Sequence, residues 1–193
     1  MRILSVVILA TIMGCSKKTA YGDFTEATGQ FTAQLPSNWH RDGHDDLSRS
    51  PMAVMTWIAE ISAEKEGQQI GAMIHINRFR RKDVPPAFKK ATLDPTDAMF
   101  GKGPLPPGAP DRIADLTVEG FPARLYRRDF ETVLGGGMHS VKGPFKMTLE
   151  DVVVQTPDSY YVLEYRATAE LFEKYHPAFR RLVETIKLTP GSK

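Results

Sequence analysis

The segment that most constrains the fold lies near the end of the chain, where a strand pattern runs directly into a helix pattern. Residues 160–167 alternate between apolar and polar side chains, which is the period of a β-strand with one buried face. The apolar side chains are Tyr161, Leu163, Tyr165 and Ala167, and the polar ones are Glu164 and Arg166. This alternation predicts a strand with one face toward a core and the other toward solvent or a second layer.

Residues 168–188 change to the period of an α-helix. Apolar side chains recur at helical spacing and, at about 100° per residue, fall within an arc of about 120°. They are Leu171, Phe172, Tyr175, Phe179, Leu182, Val183 and Ile186. Pro177 lies in the middle of this stretch, where a proline removes a backbone hydrogen bond and clashes with the preceding turn. We therefore predict a kinked helix, or two short helices of which the second begins at Pro177, with an apolar side that covers a sheet.

Other parts of the chain also have strand patterns. The predicted strands are residues 29–35, 52–61, 70–79, 113–118, 121–130 and 145–155. Turn residues separate 52–61 from 70–79 and 145–155 from 160–167, so each of these two pairs predicts a β-hairpin. Residues 87–100 predict a short helix, and the Pro- and Gly-rich residues 101–111 predict an extended loop.

The first residues have the pattern of a targeting segment. Arg2 supplies a positive charge, and the apolar run Ile3–Met13 is about eleven residues long, too short for a membrane span of about twenty. The run ends at Gly14-Cys15, and polar residues follow at once. The chain contains no cysteine other than Cys15, so it cannot form an intrachain disulfide. An ordinary secretory signal with an incidental cysteine is the alternative interpretation.

The residues Ile12-Met13-Gly14-Cys15 resemble the lipobox of a bacterial lipoprotein signal peptide. The resemblance implies cleavage after Gly14 and acylation of Cys15, whose role would be an anchor. More than one buried acyl chain gives stable membrane attachment. Ser16 implies no retention at the inner membrane, so the predicted location is the periplasmic face of the cell envelope, at the outer rather than the inner membrane. This divides the chain into a signal peptide (1–14), a lipidated cysteine and tether (15–28) and a single domain (29–190).

Two stretches of the chain resemble the PsbP/Mog1-like superfamily. One is the Leu35-Pro36 strand end followed by Trp39, and the other is the strand and helix over residues 160–188. The resemblance implies an α+β fold, an α/β/α sandwich with a central antiparallel sheet and a C-terminal helix packed on it. It implies no catalytic motif and no cofactor, and it favours a protein that acts by binding. The net charge of only +2 gives no reason to expect a nucleic-acid partner.

One loop has residue types that can bind a metal ion. His40, His44, Asp45 and Asp46 lie within seven positions around a glycine, and imidazole and carboxylate groups are ligands for Zn²⁺ and similar ions. The alternative is a solvated loop after a strand. The other histidines, His75, His139 and His176, are predicted to have structural or surface roles.

A basic cluster follows the strand that is predicted over residues 70–79. It consists of Arg78, Arg80, Arg81 and Lys82, and Arg124, Arg127 and Arg128 could extend it. Anionic lipid headgroups or an acidic protein partner are the predicted ligands, and a solvated strand end is the alternative.

These patterns lead to three hypotheses about function. The first is a lipid-anchored envelope protein that acts as a non-enzymatic accessory factor for a protein partner. The second is a metal-binding or hydrolytic lipoprotein that uses the loop around His44. The third is a carrier of a small ligand, with its pocket between the sheet and the C-terminal helix.

Overall fold

A computed structural model describes residues 19–26, 29–42, 55–62, 72–80, 110–132 and 145–189. These residues form ten strands and one helix. The strands are β1 (Tyr21–Thr25), β2 (Phe31–Pro36), β3 (His40–Asp42), β4 (Met55–Ser62), β5 (Ala72–Arg80), β6 (Asp111–Val118), β7 (Phe121–Thr132), β8 (Phe145–Gln155), β9 (Ser159–Thr168) and β10 (Lys187–Leu188), and the helix is α1 (Phe172–Thr185). The short helix predicted over 87–100 lies outside the described residues.

The strands form two antiparallel sheets. The larger has seven strands in the order β3-β4-β5-β9-β8-β7-β6, and the smaller has the order β1-β2-β10. The predicted hairpins are confirmed, since β4 pairs with β5 and β8 pairs with β9. The turn between β6 and β7 contains Glu119 and Gly120, both with positive φ (51° and 80°), which is the two-residue turn that suits the twist of a hairpin.

Helix α1 covers one face of the seven-stranded sheet, as the apolar stripe predicts. Phe172, Phe179 and Leu182 are fully buried and belong to one core cluster with Leu163 and Tyr165 of β9. The ring of Tyr165 stacks on that of Phe179, with centroids 5.4 Å apart. The predicted α+β arrangement, with an antiparallel sheet and a C-terminal helix packed on it, is therefore confirmed. A second helical layer, as in an α/β/α sandwich, is not among the described residues.

The helix is shorter than the predicted 168–188 and is continuous through Pro177. The alternative of two separate helices is therefore wrong. Thr168 ends β9 instead, and Lys187 and Leu188 form β10 at the edge of the smaller sheet. Pro177 is tolerated because packing of the apolar stripe on the sheet holds the helix on both sides of it.

Two predicted irregular segments contain strands. The tether predicted over 15–28 includes β1, which pairs with β2 and packs Phe24 against Phe31, with ring centroids 5.6 Å apart. The loop predicted to hold the metal ligands begins with β3, where Arg41 is opposite Ile61 of β4. Neither segment has the long apolar alternation that signals a strand, because a short edge strand is defined mainly by its neighbour.

Candidate functional site

A row of polar side chains crosses the face of the seven-stranded sheet opposite α1, which we call the outer face. His75 of β5 is opposite Glu164 of β9, Glu164 is opposite Asp151 of β8, and Asp151 is opposite Tyr126 of β7. Directly opposite residues in an antiparallel pair point to the same face of the sheet. These four side chains, the polar row, are therefore contiguous across four strands.

The first pair in the polar row is a histidine bound to a carboxylate. His75 Nδ1 lies 3.2 Å from Glu164 Oε1, and Arg166 Nη2 lies 3.4 Å from His75 Nε2. The imidazole of His75 therefore lies between the carboxylate of Glu164 and the guanidinium of Arg166. Burial alone would raise the pKa of Glu164, but the hydrogen bond from His75 and the positive charges of Arg166 and Arg128 hold that pKa below its usual value.

The surroundings of Asp151 shift its pKa in the opposite direction from that of Glu164. Its side chain is buried, and Oδ1 has no hydrogen-bond partner among the described residues. Burial, and then the negative charge of Glu164, raise the pKa of Asp151 to about 8, although the positive charge of Arg128 opposes the shift. Asp151 is therefore an uncharged carboxylic acid at neutral pH, beside a carboxylate that keeps its charge.

An unpaired buried polar group costs about 1–3 kcal/mol of stability, and such groups are concentrated at functional sites. Asp151 can offer an acceptor or a carboxylic acid proton to a bound group. Arg166 and the exposed Arg128 flank it from the adjacent strands. The arrangement suits recognition of a polar ligand. In the part of the chain that the structure describes, no group of three His, Cys, Asp or Glu side chains can hold a metal ion.

The arginines that could extend the basic cluster lie on two faces of the sheet. Arg124 and Arg128 of β7 share the outer face with Tyr126 because they are separated from it by two positions. Arg127 lies on the opposite face, where its guanidinium is 4.5 Å from the ring centroid of Phe172. The three arginines therefore do not form one continuous patch.

The basic cluster predicted over residues 78–82 begins with an arginine that is largely buried. Arg78 donates to Asp158 at 2.8 Å and to Ser159 at 2.9 Å, and its side chain is only 12% exposed. It holds the turn between β8 and β9 onto β5. Arg80 is the last residue of β5, and the rest of the predicted cluster, Arg81 and Lys82, lies outside the described residues.

His40 is exposed on β3. The other predicted metal ligands, His44, Asp45 and Asp46, lie outside the described residues, as does Cys15. The metal site and the lipidation of Cys15 therefore stay predictions. The described helices include none with the length and apolar character needed to cross a membrane.

The space between α1 and the sheet, where a carrier pocket is predicted, is filled by aromatic side chains in the described part. The Tyr165 ring lies 4.9 Å from that of Phe172, and its hydroxyl donates to the Phe172 carbonyl at 2.8 Å. His176 stacks on Phe172 at 5.1 Å and binds Glu150 at 2.8 Å. A cavity of about 510 Å³ lies instead where β7 ends and β8 begins, beside Lys146, Thr148 and Ala169.

The polar row is the part of the site that the sequence analysis missed. The alternation in residues 160–167 assigns Glu164 to the face away from the core, but it does not identify the residues beside it. His75 lies 89 positions before Glu164 and Asp151 lies 13 positions before it, and the strand register places all three side by side. The available signal is the presence of polar residues inside the predicted strands 70–79 and 145–155.

No protein-family model and no curated protein sequence matches the chain. Among solved structures, a protein of Bacteroides thetaiotaomicron is similar with a TM-score of 0.50 and 8% identity, over 89% of this chain and 49% of that one. This chain therefore spans about half the length of that protein. At this identity the likeness concerns the fold alone.

Two further solved structures have lower scores. LpqN of Mycobacterium tuberculosis, which is involved in cell envelope biogenesis, has a TM-score of 0.48 and 14% identity over 89% of this chain and 91% of its own. The Ran-binding protein Mog1p of Saccharomyces cerevisiae has a TM-score of 0.46 and 9% identity over 88% and 96%. The α+β arrangement predicted from the sequence is the one observed: antiparallel sheets with a helix near the C-terminus of the described chain.

Proposed function

We propose that this protein is a lipid-anchored, non-enzymatic accessory factor on the periplasmic face of the cell envelope, at the outer rather than the inner membrane. It binds a protein partner at the outer face of its seven-stranded sheet, where Arg128 is exposed and Arg166 is partly exposed, although the polar row beside them is buried. The single observation that carries the binding role is the buried Asp151 carboxyl, whose Oδ1 has no hydrogen-bond partner among the described residues. Cys15, at the end of the apolar run, supports the anchor.

Loss of Cys15 tests the anchor. We expect Cys15→Ser to abolish labelling by a radioactive fatty acid and to move the protein from the membrane fraction to the soluble fraction, because no acyl chain is then attached. The readout is fluorography together with fractionation of the full-length protein. Ser16→Ala is the matched control and keeps both the label and the membrane location. A wild-type protein that takes up no label contradicts the lipoprotein assignment.

The binding role follows from the cost of leaving Asp151 unpaired. Replacing an unpaired buried polar group by an apolar one removes its desolvation penalty, so a fold selected for stability alone would not keep it. Oδ1 is enclosed in the free protein, so a partner that contacts Arg128 or Arg166 compensates that cost only by opening this part of the outer face. Residues retained for binding at the expense of stability give a recognisable result on mutation: stability rises and binding falls.

A photo-crosslinking amino acid at Arg166 tests the binding face. In envelope membranes that contain the full-length protein, we expect one discrete crosslinked product from position 166 and none from the exposed position Arg180 on α1. Asp151→Val in the same protein should reduce the product by about tenfold, the effect of losing about 1.4 kcal/mol, while raising the thermal midpoint of unfolding. An unchanged product in Asp151→Val, or equal products from both positions, contradicts the proposed binding face.

A further inference from the structure

We infer that the protein partner presents acidic side chains to one corner of the outer face, which we call the arginine corner. It consists of Met73, Arg128, Phe130, Met147 and Arg166. This inference rests on the proposed function, because it takes the outer face as the binding surface. It adds the part of that face that a partner contacts and the chemistry that the partner supplies.

Strand register places the two arginines in one row across four strands. Arg128 of β7 is opposite Leu149 of β8, Leu149 is opposite Arg166 of β9, and Arg166 is opposite Met73 of β5. Directly opposite residues point to the same face of a sheet. The two arginines are two strands apart, so their Cα atoms are separated by about 10 Å. A segment with two or more acidic side chains can therefore contact both.

An apolar neighbour contacts each arginine in the free protein. The guanidinium of Arg128 lies 5.0 Å from the ring centroid of Phe130, and Nη2 of Arg166 lies 3.0 Å from the sulfur of Met73. These contacts leave the charges accessible, since Arg128 is exposed and the Arg166 side chain is 39% exposed. Side chains that are already positioned lose less conformational entropy when a partner binds.

The residue types of the arginine corner are those of protein interfaces. Interface cores are enriched in aromatic residues, Met and Arg, and depleted of Lys and Glu. Phe130, its opposite residue Met147, and Met73 are half-buried, so apolar area surrounds the two guanidinium groups. Arginine is also one of the residue types whose loss costs most binding energy. This surface therefore suits a protein partner.

The charge of the arginine corner favours an acidic partner. The adjacent row of the outer face contains two carboxyl groups, Asp151 and Glu164. Asp151 is buried, and the Glu164 side chain is 23% exposed and lies 4.0 Å from Arg166. Asp129 and Glu131 alternate with the outer-face residues of β7 and so point to the opposite face. Carboxylates on a partner complement the positive charges that remain exposed.

Anionic lipid headgroups are the other ligands predicted from the sequence for the basic residues. Attraction to a lipid surface needs clusters of about four to eight basic side chains, because each contributes weakly. The arginine corner has two. A planar guanidinium instead matches the geometry of a single carboxylate, to which it can donate two parallel hydrogen bonds. We therefore assign this surface to an acidic protein segment.

A charge reversal tests the inference. A photo-crosslinking amino acid at Met147 keeps both arginines, and the crosslinked product is measured in envelope membranes that contain the full-length protein. We expect Arg128→Glu to reduce the product by about tenfold or more, because like charges then meet. Arg180→Glu, at an exposed arginine of α1, is the matched control and keeps the product. Circular dichroism of both purified variants checks that they fold.

Mass spectrometry of the product then identifies the contacted segment of the partner. We expect it to contain acidic residues, and replacing them by arginine should restore the product with Arg128→Glu. A protein product that Arg128→Glu leaves undiminished, or a contacted segment without acidic residues, overturns the inference and leaves the proposed binding face in place. No protein product from position 147 or 166, or an adduct with phospholipid alone, contradicts the proposed function and the inference with it.

Discussion

Replacing Phe179 by alanine is expected to lower the free energy of unfolding by about 3–5 kcal/mol, the range for an aromatic residue removed from a core. Phe179 is only 1% exposed and stacks on Tyr165 at 5.4 Å. The substitution leaves a cavity at this contact between α1 and the sheet. Denaturant unfolding followed by circular dichroism measures the change.

Arg180→Ala, one position further along the same helix, is the matched control. Arg180 is exposed, and its pair with Glu184 is a surface interaction across one turn, worth about 0.3–0.5 kcal/mol. Similar losses for the two variants would mean that α1 is not packed on the sheet through the stripe that contains Phe179. The fold described above would then be wrong in its central contact.

The second large effect concerns pH. The pKa of Asp151 is raised in the folded protein from the ordinary 3.8 to about 8. Between these two values the folded state keeps a proton that the unfolded state has lost, so the stability contributed by protonated Asp151 is complete below pH 3.8 and is lost as the pH rises toward 8. We expect the unfolding free energy of the wild type to fall relative to that of Asp151→Asn by about 3 kcal/mol between pH 5 and pH 8.

Asparagine has the shape of protonated aspartic acid and does not titrate, so the difference between the two proteins isolates this one group. Glu170→Gln, at an exposed carboxylate in the turn before α1, is the matched control for replacing a carboxyl group by an amide elsewhere in the domain. Curves for Asp151→Asn that run parallel to those of the wild type would show that Asp151 is ionised in the folded protein. Asp151 and Glu164 would then both be charged, with Arg128 and Arg166 as nearby positive charges.

The sequence predicts most of the strands because each of them has a strong local pattern. Residues 145–155 were assigned to a strand with the bounds observed for β8, and β9 and α1 differ from their predictions by a few residues. Strands β1, β3 and β10 were missed. Each has at most five residues, and their hydrogen bonds to β2 and β4 define them more than their own side chains do.

The candidate site residues also differ in whether neighbouring residues in the sequence or distant contacts decide their role. In the sequence, Arg78 belongs to a basic cluster for which an anionic ligand, or alternatively a solvated strand end, is predicted. Its side chain is instead held by Asp158, 80 positions later. Nothing local distinguishes an arginine that binds a distant turn from one that faces a ligand. The metal ligands and the lipid anchor, by contrast, were proposed from adjacent residues, and they stay predictions that only experiments on those residues can test.

The amino-acid sequence by itself determined which faces of β9 and α1 are apolar, because hydrophobic periodicity is a property of neighbouring residues and survives in any compact fold. Only the tertiary structure decided that His75, Glu164 and Asp151 form one row. Strand register joins residues up to 89 positions apart, and it depends on the burial of the whole sheet rather than on any single strand. The raised pKa of Asp151 has the same origin, since it comes from burial and from a charge on the next strand.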